Sequence, residues 1–110
     1  MIRGLFLAIL LVAAVVAAEI HVPTSVALAA AEVKPQPEYG AMARQLKVAG
    51  DVAIEVHISV AGEVGEVKVL AGNALLAGSV VKTLKNWRFK PFLAEGQPTA
   101  AVTILKFSFK

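Results

Sequence analysis

Ten consecutive residues alternate without a break. From Asp51 to Val60, Val52, Ile54, Val56, Ile58 and Val60 take every second position, and Asp51, Ala53, Glu55, His57 and Ser59 take the others. A period of two puts all five aliphatic side chains on one side of an extended backbone, which predicts a strand with one buried face. Ala61-Gly62-Glu63 follows. Gly supplies the positive φ of a tight reversal, so the chain is expected to return as a hairpin through Val64 to Leu70. There Val67 and Val69 share one face and Glu66 and Lys68 the other, while Val64 and Gly65 are out of phase, which predicts a bulge. A hairpin with one apolar face needs a second layer to cover it.

Two helical stretches can supply that layer. Tyr39, Met42, Ala43 and Leu46 recur at i, i+3, i+4 and i+7 after Pro37-Glu38, with Gly50 as the stop. From Ala74 to Trp87, Leu76, Val80, Leu84 and Trp87 recur at helical spacing while Lys82, Lys85 and Asn86 point outward. Gly78, Val80, Val81 and Thr83 are indifferent helix formers, so this helix depends on the sheet beneath it. It runs into Trp87-Arg88-Phe89-Lys90-Pro91, which holds the only Trp of the chain and whose Pro cannot continue a helix. Glu95-Gly96-Gln97-Pro98 reads as a turn and Thr99 to Phe109 as a last strand. Val102 and Ile104 alternate one way and Phe107 and Phe109 the other, which predicts a bulge near Leu105-Lys106. The expected architecture is α+β: a two-layer, three-stranded antiparallel sheet with two helices on one face, in the order α-β-β-α-β.

The front of the chain is different. Met1 to Gly4 is a short basic start, Leu5 to Ala18 is fourteen residues without a charge, and Val16-Ala17-Ala18 places small residues before Glu19. That is the pattern of a secretory signal peptide over residues 1–18, and fourteen apolar residues fall short of the ~20 that span a bilayer. A short signal anchor is the alternative. Residues 19–36, punctuated by Pro23 and Pro35, read as a linker. Val26 to Val33 could form a short helix there, but nothing in its pattern gives it a core face. This leaves residues 37–110 as the domain, outside the cytoplasm. The chain has no Cys, so apolar packing alone must stabilise it. Without Arg3, ten basic side chains face eight acidic ones, too mild and too scattered a balance for a nucleic-acid partner.

No catalytic constellation stands out. His57 is the only His of the predicted domain and sits on the polar face of a strand, where it reads as a surface residue. Ser59 on the same face has no orienting acid or oxyanion site, and Glu55 with His57 gives two donors, too few for a metal. Catalytic, metal and cofactor residues are therefore assigned as none. The feature that remains is the last strand. A strand that ends the chain at the edge of a small sheet exposes unpaired backbone, a liability that is also a site for strand addition by an extended peptide. Lys106 reads equally as a guard against aggregation and as a polar contact beside a docked strand.

A set of residues carries a family resemblance across nearly the whole predicted domain. Pro37-Glu38-Tyr39, Ala43-Arg44, Val48-x-Gly50-x-Val52-x-Ile54-x-Val56, Ala61-Gly62-x-Val64, Val67-x-Val69 and Leu75-Leu76 lead to Trp87-Arg88-Phe89-Lys90-Pro91, then Gly96-x-Pro98 and Phe107-x-Phe109. The pattern resembles the TonB C-terminal domain from about Pro37 to Phe109. Its structural motif here is Tyr39, Arg44, Gly50, Gly62, Trp87, Arg88, Phe89, Pro91, Gly96 and Pro98.

The resemblance implies a periplasmic module whose first strand is central and whose last strand lies at an edge. In the family that edge pairs with the "TonB box" peptide of outer-membrane TonB-dependent receptors, in transport of iron chelates (siderophores) or vitamin B12. By position, the peptide-binding residues are Ala101, Val102, Thr103, Ile104, Leu105, Lys106 and Phe107, with Gln36 and Pro35 flanking them. Three departures stand out. Gly40 replaces the usual Pro after Tyr39. Ala77 and Gly78 replace an acidic helix start, so a cap worth roughly 1 kcal/mol is expected to be missing. Finally, Glu19 to Pro35 reaches at most roughly 60 Å, short for an arm crossing the periplasm.

The expectation is a stand-alone module that binds a partner peptide without transducing energy itself. The alternatives are a minimal anchored transducer working with inner-membrane proton-channel proteins and a structural module that homodimerises through its edge.

Overall fold

The computed structural model describes residues 19–110, and the signal reading of 1–18 lies outside the described residues. The central strand is β3 (Gly50–Ile58). Its even-numbered aliphatics Val52, Ile54, Val56 and Ile58 are fully buried, as the alternation requires. The hairpin strand β4 (Val64–Ala71) pairs antiparallel on one side of β3, and β8 (Ala101–Phe109) on the other. The reversal between β3 and β4 closes with Ser59 N–H on Glu63 O and Gly62 N–H on Ser59 O. The register shifts between Val56↔Val67 and Ile58↔Val64, which is the bulge expected at Val64-Gly65.

The covering helix, α3 (Ala74–Leu84), lays Leu76, Ala77, Val80 and Leu84 on the inner face of the sheet. It stops three residues before Trp87, whose N–H closes a turn on Leu84 O. The missing cap is corrected: Asn73 Oδ1 accepts the Leu75 N–H at 2.8 Å, one turn before the position where an acidic residue was looked for. The first helix, α2, is only Ala41–Gln45 and ends at Lys47 with φ 56, not at Gly50. Of its expected core face only Ala43 is buried. Tyr39 is half-buried, and Met42 and Leu46 are exposed, because five residues give too short a helix to bring i and i+7 over the same core.

The last strand also differs from its reading. Its register with β3 runs unbroken from Ile58↔Ala101 to Gly50↔Phe109, so no bulge lies at Leu105-Lys106. Ala101, Thr103, Leu105, Phe107 and Phe109 all face the core side, and Val102 and Ile104 face away. The apparent phase slip arose because Val102, beside its register partner His21, is buried although it lies on the outer face, so both faces look apolar there. The turn before it is a hairpin of its own: β6 (Phe92–Ala94) and β7 (Gln97–Thr99) pair around Glu95-Gly96, both at positive φ.

The largest departure is at the front. Residues 19–36 were expected to be a linker without a core face. Instead β1 (Ile20–His21), α1 (Thr24–Ala30) and β2 (Ala31–Val33) pack onto the domain. Ala27 is fully buried and Val22 nearly so. β1 lies parallel to β8, making a four-stranded sheet in the order β1-β8-β3-β4, and β2 pairs with β5 (Arg88–Phe89). A seven-residue segment burying one Ala at its centre has no readable periodicity, so the sequence pattern could not signal it.

Gly62 is the tightest backbone approach in this frame. At φ +86, a Cβ there would sit 2.0 Å from Phe89 O, while its own carbonyl accepts the Phe89 N–H at 2.9 Å. Gly62→Ala is expected to destabilise the protein by about 2 kcal/mol or more, since both φ and contact are incompatible with a side chain. Gly40→Ala, with open space around it and a negative φ, is expected to cost no more than about 1 kcal/mol, the difference between Gly and Ala at an N-cap. Urea unfolding of the two variants checks the contrast.

Candidate strand-docking edge

Trp87 sets the position of the candidate edge. Its ring is 2% exposed, lies 6.0 Å from Phe89 and meets Phe107 of β8 edge-on at 5.9 Å, 81°. Its Nε1–H donates to Pro35 O at 2.8 Å. Phe92 extends the row against Phe89, and Tyr39 packs edge-on against Phe109 while its hydroxyl donates to Val48 O. The Arg44 guanidinium lies 5.7 Å over the Tyr39 ring. Arg88 points away and pairs with Glu63 at 2.7 Å on the surface, a contact worth little energetically. The aromatic row thus holds the C-terminal half of β8 from its inner side.

The residues expected to bind a peptide are all on β8, but they are not equivalent. Ala101, Thr103 and Leu105 are buried under the helices, so only their backbone could meet a partner. Val102 is 7% exposed, Ile104 is 42% exposed, and Lys106 is exposed. The outer edge is divided along its length. Ala100 O accepts from Ile20 N–H at 3.0 Å, Val102 O from Val22 N–H at 2.9 Å, and Ile104 O from the Thr24 hydroxyl. In an antiparallel pair, the backbone groups of alternate residues point to the same side, so those of Lys106 and Ser108 face this edge too. Among the described residues no strand pairs with them there. Gln36 flanks β8 at this open end. With Pro37, Tyr39 and residues 106–110 it lines an open cleft of about 350 Å³.

The remaining motif residues are scaffold. Gly96 makes the tight hairpin, Pro98 is in β7 opposite Leu93, and Gly50 starts β3 at φ +133. Pro91 separates β5 from β6 and is exposed. Ser59 Oγ accepts the Glu63 N–H, which makes it a turn residue.

His57 does more than its surface position suggested. On the outer face of β3 its Nδ1 meets Glu19 Oε2 at 2.6 Å and its Nε2 meets Glu55 Oε2 at 3.0 Å. The Glu19 contact could not be read from the sequence, because it spans 38 positions and depends on β1 lying on the sheet. Hydrogen bonding to Glu19 first, and to Glu55 second, raises the His57 pKa above its ordinary 6.5, against a smaller lowering by burial. A raised folded-state pKa stabilises fully below the free-imidazole value, and the gain fades as pH climbs through the raised value. The parent protein is therefore expected to lose stability between mildly acidic and mildly alkaline pH by more than His57→Gln does. Urea midpoints measured across that range give the comparison.

The profile of the family described as Gram-negative bacterial TonB protein C-terminal matches residues 35–110. Among curated proteins, none matches the sequence. The fold is similar to the solution NMR structure of the Pseudomonas aeruginosa TonB C-terminal domain, with a TM-score of 0.63 and 24% identity over 73% of this chain and 83% of that one. That likeness speaks to the fold, and the profile match, which spans well over half of the chain, speaks to the family. The chain belongs to the family of the Gram-negative bacterial TonB protein C-terminal domain.

Proposed function

We propose that this protein is a periplasmic interaction module that takes up an extended, TonB-box-like peptide of an outer-membrane TonB-dependent receptor as an added strand on β8. The observation that carries this reading is the state of the β8 edge. One part of it already pairs with an extended segment, Ile20–His21, and the next part, at Lys106 and Ser108, lacks a neighbouring strand among the described residues. An edge that accepts one strand in parallel register has the geometry to accept another. Family membership supports the same role.

In this mode the backbone supplies affinity and a few side chains supply choice. Ile104, Lys106 and Ser108 are the exposed side chains of β8 on the outer face beside the edge, and Ile104 and Lys106 are the apolar and the cationic one. A partner with an apolar residue flanked by an acidic one would meet both. The Gln36 cleft lies where a longer peptide would continue past Ser108.

Residues 19–110 form one packed body and are the natural material for the test. Titrating the labelled protein with synthetic N-terminal peptides of outer-membrane receptors should move the amide resonances of Ala101–Phe109. Unchanged β8 resonances with every such peptide would overturn the reading. Lys106→Pro removes an edge donor without breaking the β3–β8 ladder, and should weaken binding about tenfold, the worth of one hydrogen bond, with little change in unfolding midpoint.

A further inference from the structure

The segment from Glu19 to Thr24 occupies the same backbone groups that an added strand would need. Its contacts fall on alternate β8 carbonyls in succession: Ile20 N–H on Ala100, Val22 N–H on Val102, and the Thr24 hydroxyl on Ile104. Val22 buries its side chain against the core and Glu19 is held by His57 across the outer face. We infer that this segment is a built-in competitor, a strap that caps the first half of the β8 edge and must peel away before a partner strand can pair along its full length. The inference rests on the strand-addition reading above.

The strap is attached in a way that suits release. β1 is two residues long, and α1 has seven residues and no side-chain cap at its start. Val26 and Leu28 remain exposed on α1; Val22 and Ala27 are the buried anchors of the strap, and Ile20 and Ala30 pack only partly against the core. Its far end is held separately: Lys90 N–H donates to Ala30 O and β2 pairs with β5. The span from Glu19 to Ala29 can therefore swing out while Ala30 and β2 stay docked, so displacement does not require unfolding of the domain.

The open end of the edge gives the order of events. Lys106 and Ser108 are available while the strap is seated, so an incoming peptide pairs there first. It then displaces Thr24, Val22 and Ile20 in turn, moving toward Ala100. Each exchange replaces one hydrogen bond on β8 with another, so the edge remains satisfied throughout.

A reversible lock tests this, because the chain has no Cys of its own. His21 and Val102 are register partners in neighbouring strands, a spacing within disulfide reach, so His21→Cys with Val102→Cys can tie the strap down. The probe is a synthetic receptor N-terminal peptide that moves β8 amides in the parent protein. The oxidised double variant should bind it at least about tenfold more weakly than its reduced form, with shifts confined to residues 106–110. Val22→Pro, which removes the donor on Val102 O, should bind several-fold more tightly than the parent. Equal affinity in oxidised and reduced forms, or no gain with Val22→Pro, would overturn the strap while leaving strand addition standing. If no form binds any peptide on β8, strand addition itself fails and the strap falls with it.

Discussion

The indole of Trp87 is the contact on which the other parts of this structure converge. It sits where the turn after α3 meets the β5 strand, is flanked by Phe89 and Phe107, and donates its one hydrogen bond to Pro35. Four segments that are distant in sequence are thereby held at one point: the end of the covering helix, the Arg88–Phe89 strand, the last strand of the sheet and the segment before the first helix. A buried Trp needs both apolar contact and a partner for its N–H, and this position supplies both. Without it, the C-terminal half of β8 would lose the ring that packs on Phe107.

With the inner face of β8 fixed, the outer edge becomes a rigid template. Rigidity matters for strand addition, because a partner peptide already loses its own conformational freedom on docking and gains most when the receiving strand loses none. The edge is also a hazard to a protein in isolation, since unpaired backbone invites association. The strap offers a physical reconciliation: the chain covers half of its own edge with a segment held by few contacts. His57 links the two ideas, as its imidazole joins the strap carboxylate of Glu19 to the sheet carboxylate of Glu55.

Much of this was legible in the sequence because it depends on local periodicity. The Val52–Ile58 alternation, the Gly62 reversal, the Val64-Gly65 bulge and the Leu76–Val80–Leu84 face of α3 are all set by spacing and appear in the structure as read, whereas Val60, the fifth residue of the alternation, lies beyond the end of β3 and is exposed where the chain reverses. The errors share a cause. Val102 looked like the start of a phase slip because it is buried although it lies on the outer face, beside a segment from some eighty positions away in sequence. Met42 and Leu46 kept helical spacing in a helix too short to use it. The cap on α3 was sought at the wrong residue, and Asn73 supplies it.

By itself, then, the sequence determined a one-faced hairpin, an amphipathic covering helix, an aromatic corner and the family to which they point, since each is written in residues close enough to be read together. Only the tertiary structure decided which backbone groups of the last strand are open and which are occupied. Edge pairing is made by peptide N–H and C=O groups that every residue carries alike, so no side-chain pattern at Ile20 to Thr24 could announce it. The divided edge, with Ala100 to Ile104 taken and Lys106 to Ser108 open, exists only once the two ends of the chain are brought side by side.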